Sequence, residues 1–561
     1  MRNNKLYPKL TSEALPYSST KKNKTRTAQA LAFFILLSII HTWPLITNPA
    51  HLSRNDNADT VLCEWIVSWI AYQLPRDPLH LYEANIFYPE KHTLAFSEPL
   101  IAPALIGAPL RWLGVPPVST FNLLLLIGFT LTGLAMYTLI RTFTGDHIAG
   151  LIAGSLAAFN PHTLTRIPQL QAQFSLWLPL ALLALDRLLS DKRTKDALWL
   201  ALFVTLATTT SLYFGVMTVV ALGVALIIRF EDWWGRRANP FFPRIGLAVL
   251  LASPVVLLIL APYWHLYRHL GFARPLDLAA EFAAHPSYYL STAGRLHYAM
   301  WSNRFYEYGG ECLFPGLIAF GLLIVALASG IRAVKDRRIR MFIAIGITGI
   351  LLSFGPKTPI YVLLYKVFPP FKGFRSVSRF GFLFLFAVAA LAGYGLAKLR
   401  TRFTRHKWIT PIAIVLVILV NLEATRAPMR LSHFKGIPSV YKVLAAHKGS
   451  AVVAEMPFYS PRNSYKNASY MLASTTHWKS LLNGWGGYIP KSYRRRADVF
   501  RHFPEEAAVE ELQRAGVTHV VVHFNRYEKE EAMKIFHALY NNPKFKELAS
   551  DPNGIKLYRF K

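Results

Sequence analysis

Long apolar runs separated by short polar stretches fill the first three quarters of the chain and stop near residue 424. A helix that crosses the hydrocarbon core of a bilayer needs roughly 20 apolar residues. Eleven runs approach that length: 28–46, 119–140, 148–159, 174–189, 197–209, 212–228, 245–262, 315–331, 341–354, 380–396 and 409–422. The runs 148–159 and 197–209 reach span length only with flanking residues. The pattern predicts a polytopic α-helical membrane protein with about 11 transmembrane helices. A proline-containing apolar stretch, 99–113, is read as an interfacial or re-entrant helix.

Beyond residue 435 no run is long enough to span. Strand-like segments at 451–456, 517–524 and 555–560 alternate with helical ones at 440–447, 505–515 and 527–540. Gly516 stops the helix 505–515 just before the buried strand 517–524. This predicts a C-terminal α/β domain. The expected organisation is a basic N-terminus 1–27, a transmembrane region 28–424 with a large first external loop 48–118, and the α/β domain 425–561.

Charge changes the picture through its placement. The 561 residues carry 62 Lys and Arg against 31 Asp and Glu, a net charge of +31, yet only 17% are charged and 53% are hydrophobic. Nucleic-acid binders of such net charge are usually richer in charged residues, so a nucleic-acid partner is not expected. The apolar content excludes disorder for most of the chain, and two cysteines exclude a disulfide scaffold.

Short cytoplasmic loops hold an excess of Lys and Arg. Lys21, Lys22, Lys24 and Arg26 precede the first run. Alternate loops then hold Arg141; Arg187, Lys192, Arg193 and Lys195; Arg229, Arg236, Arg237 and Arg244; Arg332, Lys335, Arg337, Arg338 and Arg340; and Lys398, Arg400, Arg402, Arg405 and Lys407. The intervening stretches 48–117 and 263–314 are sparser in basic residues. This phase puts the N-terminus in the cytoplasm and the 425–561 domain outside. The first run has a basic leader but no small-x-small cleavage site after it, and reads as an uncleaved signal-anchor. The domain 425–561 is itself basic, with 22 Lys and Arg against 11 Asp and Glu. About a third of the surplus is therefore available to face anionic lipid head groups or a phosphorylated glycolipid.

Candidate chemistry concentrates in the first external loop. Asn55-Asp56-Asn57-Ala58-Asp59-Thr60 opens it, and an amphipathic helix over 61–74 carries Trp65 and Trp69 on one face. Asn85-Ile86-Phe87-Tyr88-Pro89 and Ser97-Glu98-Pro99 follow. Trp and Tyr favour the membrane interface. The loop thus reads as helices lying on the bilayer, with carboxylates at the mouth of the bundle.

These residues resemble the GT-C superfamily of membrane glycosyltransferases, and within it the bacterial multispan proteins that include the YfhO-like and mannosyltransferase-like groups. Besides the loop motifs, the resemblance rests on Arg166-Ile167-Pro168-Gln169-Leu170-Gln171, on Arg375-Ser376-Val377-Ser378-Arg379-Phe380 and on Asn483-Gly484-Trp485-Gly486-Gly487-Tyr488-Ile489-Pro490. It implies a GT-C-like fold in the bacterial plasma (inner) membrane. It also implies a reaction at the extracytoplasmic face, in which a sugar passes from a polyprenyl-phosphate donor to an envelope glycan or lipid acceptor. Ala58 stands before the loop acid where many relatives have glycine, so the choice between Asp59 and Asp56 stays open.

An inverting transfer needs a carboxylate to take the acceptor hydroxyl proton and cationic groups to hold the departing phosphate. Asp59 is the first candidate for the base and Asp56 the second; both also suit an Asn/Asp-rich turn. Glu98 is a candidate to tune the base or to hold a divalent cation, or else caps a helix N-terminus. Arg375 and Arg379 are candidates for the donor phosphate through forked hydrogen bonds, against interfacial pairing with lipid. Arg166, Gln169 and Gln171 are candidates for sugar hydroxyls or phosphate, against a polar turn with satisfied side chains. Tyr213 lines the same cavity or belongs to the interfacial belt. The aromatic, glycine-rich stretch 477–488 suits acceptor recognition, or packs the tail onto the membrane part.

No zinc spacing of His or Cys occurs, and no phosphate-binding Gly-x-x-x-x-Gly-Lys-Ser/Thr loop. Cys63 and Cys312 both fall in external loops, where pairing in an oxidising compartment is open to them. Two other functions fit the same pattern: a lipid or glycan transporter, and a catalytically silent relative that scaffolds envelope assembly. Acids are nearly absent from the run interiors, with Asp186 and Glu423 near run ends, which disfavours a proton-coupled carrier.

Overall fold

A computed structural model describes residues 20–235, 240–271, 274–328 and 335–561. The basic stretch 1–19, the side chains of Lys21 and Lys22, and Arg236, Arg237 and Arg332 lie outside the described residues.

Each of the eleven apolar runs forms a helix, from Thr20–His41 through Pro117–Thr144 to Ile409–Ala424. Helix formation follows from apolar residues of high helix propensity, and the chain breaks where polar or Gly/Pro residues intervene. Among the described residues, four segments are long and apolar enough to cross a membrane: Pro117–Thr144, Leu170–Asp191, Phe242–His269 and Val377–Arg402. Leu212–Ile228, Leu317–Leu327 and Ile409–Ala424 are apolar but shorter. Length and apolarity alone therefore fall short of eleven spans. The helix His147–Ala158 shows why. Its 12 residues rise about 18 Å, less than the roughly 30 Å hydrocarbon core. It is buried against Pro117–Thr144 and Gly381–Arg402.

Small residues set how closely these helices approach. A Cβ on Gly395 would strike the Leu322 carbonyl, and one on Gly349 would meet Leu383 and the Phe384 backbone nitrogen. The helices Leu317–Leu327 and Arg337–Ser353 can therefore lie backbone-close against Gly381–Arg402. The segment 99–113 forms the helix Ile101–Trp112, packed on Ala58–Gln73 and Pro117–Thr144 through Gly107 while Leu105 and Trp112 stay exposed.

Much of the basic charge expected to set topology is also paired. Arg229 pairs with Asp186 and, at 2.8 Å, with Asp232. Arg338 reaches Asp186 at 2.8 Å, and Arg337 joins Asp232. This lattice ties together the ends of helices Trp177–Asp191, Leu212–Ile228 and Arg337–Ser353. Arg400 bridges Asp146, which caps His147–Ala158, at 2.6 Å.

Three C-terminal strands fall where the alternation places them, at 452–456, 519–523 and 555–560, and four further strands were not expected from the sequence. Strands β1 (Leu52–Ser53) and β2 (Ser432–His433) pair antiparallel and tie the first external loop to the start of the tail. A five-stranded mixed sheet follows: β3 (Val452–Met456), β4 (Ser480–Leu481), β5 (His519–His523), β6 (Phe545–Asp551) and β7 (Ile555–Phe560), in the order β4-β3-β5-β7-β6. β3 runs parallel to β4 and β5, and β7 antiparallel to β5 and β6. β3 and β5 are buried almost throughout, with valines at their centre, and their buried polar residues Glu455 and His523 pair with each other at 2.8 Å.

The tail shares its core with the first loop. Leu481 donates its N–H to the Asn85 carbonyl at 2.7 Å, and Tyr88 donates to Leu481 at 2.9 Å, so residues 85–88 run along the outer edge of β4. Gly484 sits against the Phe87 ring, where a Cβ would collide with it. The Gly487 N–H donates to the Phe96 carbonyl at 2.6 Å. The aromatic, glycine-rich stretch thus lies on the loop that carries the candidate acids.

Candidate functional site

Asp59 sits in the first turn of the helix Ala58–Gln73. The Asn57 side chain caps that helix by accepting the Asp59 N–H at 2.9 Å. A carboxylate in the first turn is favoured by the helix dipole. Asp56 lies just outside the helix, exposed, and receives two hydrogen bonds from Arg54 at 2.9 and 3.2 Å. Asp59 looks inward instead. Its Oδ2 accepts from Gln169 Nε2 at 2.6 Å, and among the described residues no hydrogen bond reaches Oδ1.

The segment carrying Arg166 and Gln169 is folded onto itself. Asn160 caps the short helix Pro161–Thr165 by accepting from the Thr163 N–H, and buried Gln173 donates back to the Thr163 and Arg166 carbonyls. This brings Arg166 onto Glu311, which sequence reasoning did not single out. Glu311 is buried and accepts from Arg166 Nε at 3.1 Å, from Arg166 Nη2 and from His162 Nδ1 at 2.8 Å. Burial opposes its charge, but Arg166 and His162 hold its carboxyl well below the usual range. The third Arg166 nitrogen donates to Gln169 Oε1 at 2.8 Å. Glu311 lies in an aromatic- and glycine-rich stretch, four residues after Glu307 and beside Cys312, and no spacing links it to Arg166. Gln171 takes no part in this chain of hydrogen bonds; its Oε1 lies 4.0 Å from the Cys63 thiol.

Arg379 approaches from another part of the chain. Its guanidinium lies 4.9 Å from the Tyr213 ring centre, within the electrostatic reach of Asp59, Glu98 and Glu311. Its Nε is buried without a hydrogen-bond partner. Tyr213 acts as a post beneath this loop: its hydroxyl accepts the N–H groups of Arg375 at 3.1 Å and Ser376 at 3.2 Å. Arg375 is exposed and stacks 5.0 Å from the Phe282 ring. Arg274, one of the few basic residues of the stretch 263–314, donates to the Gly487 carbonyl at 2.7 Å and so joins this rim to the tail.

Glu98 does cap a helix, but not the one it precedes. Its Oε2 accepts the Leu212 N–H at 2.9 Å, at the start of Leu212–Ile228. Burial pushes its pKa up, against Ser211, Arg379 and the Leu212 N–H. The described residues contain no group of three or more His, Cys, Asp or Glu able to hold a metal ion, and Glu98 is spent on the helix end. Cys63 and Cys312 are both buried and free, Cys312 lying 3.6 Å from the Ser291 hydroxyl; the pairing left open above does not occur.

Glu64, one turn beyond Asp59, also escaped notice. It is fully buried, accepts from Asn55 at 2.8 Å and Ser53 at 3.2 Å, and burial raises its pKa to about 8. A carboxyl raised in the folded state gives stability that is complete below its unfolded pKa and is lost as pH rises toward 8. Thermal stability of the wild type is therefore expected to fall between pH 5 and 8, by at most about 1.4 kcal/mol per pH unit. Glu64→Gln should remove that slope, as melting curves at several pH values would show. An identical slope in the variant counts against this account.

A family model for a domain of unknown function, DUF6311, matches residues 28–425. The chain belongs to the DUF6311 family. No curated protein matches this DUF6311 chain. Among solved structures, it is similar to the arabinofuranosyltransferase AftD from Mycobacteria, with a TM-score of 0.58 and 14% identity over 96% of this chain and 40% of AftD. It is also similar to the oligosaccharyltransferase AglB from Archaeoglobus fulgidus, solved with an inhibitory peptide and a dolichol-phosphate, with a TM-score of 0.52 and 14% identity over 97% of this chain and 75% of AglB. The DUF6311 chain thus spans less than half of AftD. These likenesses show the fold, a GT-C-like one as expected above, and four of its segments are long and apolar enough to cross a membrane.

Proposed function

We propose that this protein is a membrane glycosyltransferase that moves a sugar from a polyprenyl-phosphate-linked donor to a glycan or lipid acceptor. The observation that carries the reading is a carboxylate with one free oxygen, Asp59, within electrostatic reach of Arg379, whose buried Nε is unpartnered, from segments more than 300 residues apart. The fold shared with AftD and AglB, and the dolichol-phosphate solved with AglB, support the same substrate class.

In this mechanism Asp59 takes the proton from the acceptor hydroxyl as that oxygen bonds to the anomeric carbon. The bond from that carbon to the phosphate oxygen breaks, its electron pair leaves with the lipid phosphate, and the anomeric centre inverts. Arg379 and the exposed Arg375 neutralise the departing phosphate. Tyr213 seats their loop, and Glu98 fixes the helix end beneath it. No step is routed through a metal.

The reaction belongs on the extracytoplasmic face of a bacterial plasma membrane. There about eleven helices lie in the bilayer, the short His147–Ala158 packed among longer spanning ones, the N-terminus is cytoplasmic, and residues 425–561 form an α/β domain on the acceptor side. The basic residues of that domain and Arg274 at the rim suit an anionic lipid or glycolipid. The test is transfer by the purified protein in lipid nanodiscs, offered a panel of polyprenyl-phosphate sugars and lipid extract, with products read by mass spectrometry. A glycosylated product that depends on the protein is expected. Absence of product across the panel, with labelled lipid moving between leaflets, would instead support a transporter.

A further inference from the structure

The geometry points to Glu311 as the anchor of a positioning relay, Glu311–Arg166–Gln169–Asp59, that leaves the base a single oxygen with which to accept a proton. The inference rests on the reading of Asp59 as the base. Glu311 holds two arms of the Arg166 guanidinium and the His162 ring. A guanidinium only donates hydrogen bonds, so the third arm forces Gln169 to present its carbonyl oxygen to Arg166, at 2.8 Å. The Gln169 amide nitrogen must then face Asp59, where it donates to Oδ2 at 2.6 Å. Flipping that amide would set NH2 against guanidinium and oxygen against carboxylate. Oδ2 is thereby held as an acceptor, and the proton taken during transfer goes to Oδ1.

The relay joins three segments distant in sequence: the first external loop, the turn after His147–Ala158 and the loop before Leu317–Leu327. It also reassigns two residues. Every nitrogen of the Arg166 guanidinium is committed within the protein, as are both polar atoms of the Gln169 side chain. Those contacts use three of the five guanidinium N–H groups and one of the two amide N–H groups, and they fix both side chains in place, whatever further contact the remaining donors make with sugar or phosphate. Both are positioning residues, as is Glu311.

The test uses full-length protein in nanodiscs, with the donor identified in the transfer assay. Glu311→Gln and Gln169→Ala should each lower kcat about 10- to 100-fold, the loss typical of a reacting group displaced by an ångström. KM for the donor should stay within about twofold, because the relay acts on the base and not on binding. Binding of a sugar-free polyprenyl phosphate should be unchanged. The double variant should lose no more than the worse single one, since both break one chain of contacts. A raised KM with kcat unchanged, or losses that multiply in the double variant, would overturn the relay. Should Glu311→Gln fail to fold because Arg166 is left buried and unpaired, Gln169→Ala decides through the kcat and KM split alone. A wild type that forms no product overturns the glycosyltransferase reading itself, and the relay's role with it.

Discussion

Asp59→Asn is expected to abolish sugar transfer while leaving expression, membrane insertion and melting behaviour at wild-type levels. Asparagine has nearly the shape of aspartate, so the first turn of Ala58–Gln73 keeps its cap from Asn57. Its amide oxygen can still accept from Gln169, so the local packing has no reason to change. What disappears is the negative charge and, with it, the ability to accept a proton. General-base catalysis contributes about 100- to 10,000-fold, and the loss in kcat should fall in that range. Asp56→Asn is the matched control. Asp56 is exposed and paired with Arg54, a contact worth about 1 kcal/mol or less, and rates should stay within about twofold. The two variants together settle which acid of Asn55-Asp56-Asn57-Ala58-Asp59 is the base. Wild-type product from Asp59→Asn would reject the assignment, and a large loss from Asp56→Asn would move it.

Arg379→Ala should weaken binding of the polyprenyl-phosphate donor more than any other single change at the rim. A guanidinium holds phosphate through two parallel charge-assisted hydrogen bonds. Hydrogen bonds to charged groups contribute about 1.5–3 kcal/mol each, which corresponds to roughly 10- to 100-fold in affinity. Arg379 is the stronger candidate because its buried Nε has no partner within the protein. Arg375 is solvent-exposed and stacked on Phe282, so Arg375→Ala should cost only a few-fold, as exposed charges generally do. Arg379→Lys keeps the charge but loses the fork, and should fall between wild type and alanine. Titration of a sugar-free polyprenyl phosphate against each variant reads this directly. Equal affinity in wild type and Arg379→Ala would remove Arg379 from the donor site.

The acids near run ends bear on the transporter alternative. Asp186 is held by Arg229 and Arg338, and Glu423 lies 3.3 Å from His297 Nε2 while its other oxygen accepts the Ile318 N–H. Carboxylates engaged in this way serve as ties between helix ends, and nothing in their geometry calls for a translocated proton or ion.

The local pattern along the chain determined the helices, the change of material near residue 425, and the positions of β3, β5 and β7 within a residue or two. Apolar runs and short alternating segments are legible because they depend on neighbours in sequence. The helix after Asn55-Asp56-Asn57 was legible in the same way, but not its start: expected at 61, it begins at Ala58 behind an Asn57 cap, so Asp59 lies on its first turn and not in a loop turn.

The tertiary structure alone decided which of these residues meet. Glu98 caps a helix 114 residues away, and Glu311 anchors Arg166 across 145 residues. Gln169 finds Asp59 across 110 residues. Residues 85–88 join the edge of a sheet built by the tail. No periodicity encodes such pairings. They follow from helices packed at close range through small residues, and from the need of each buried charge for a partner once water is excluded. The residue types that can do the chemistry were visible in the chain. The choice of which one is left with a free oxygen or an unpartnered nitrogen belongs to the fold.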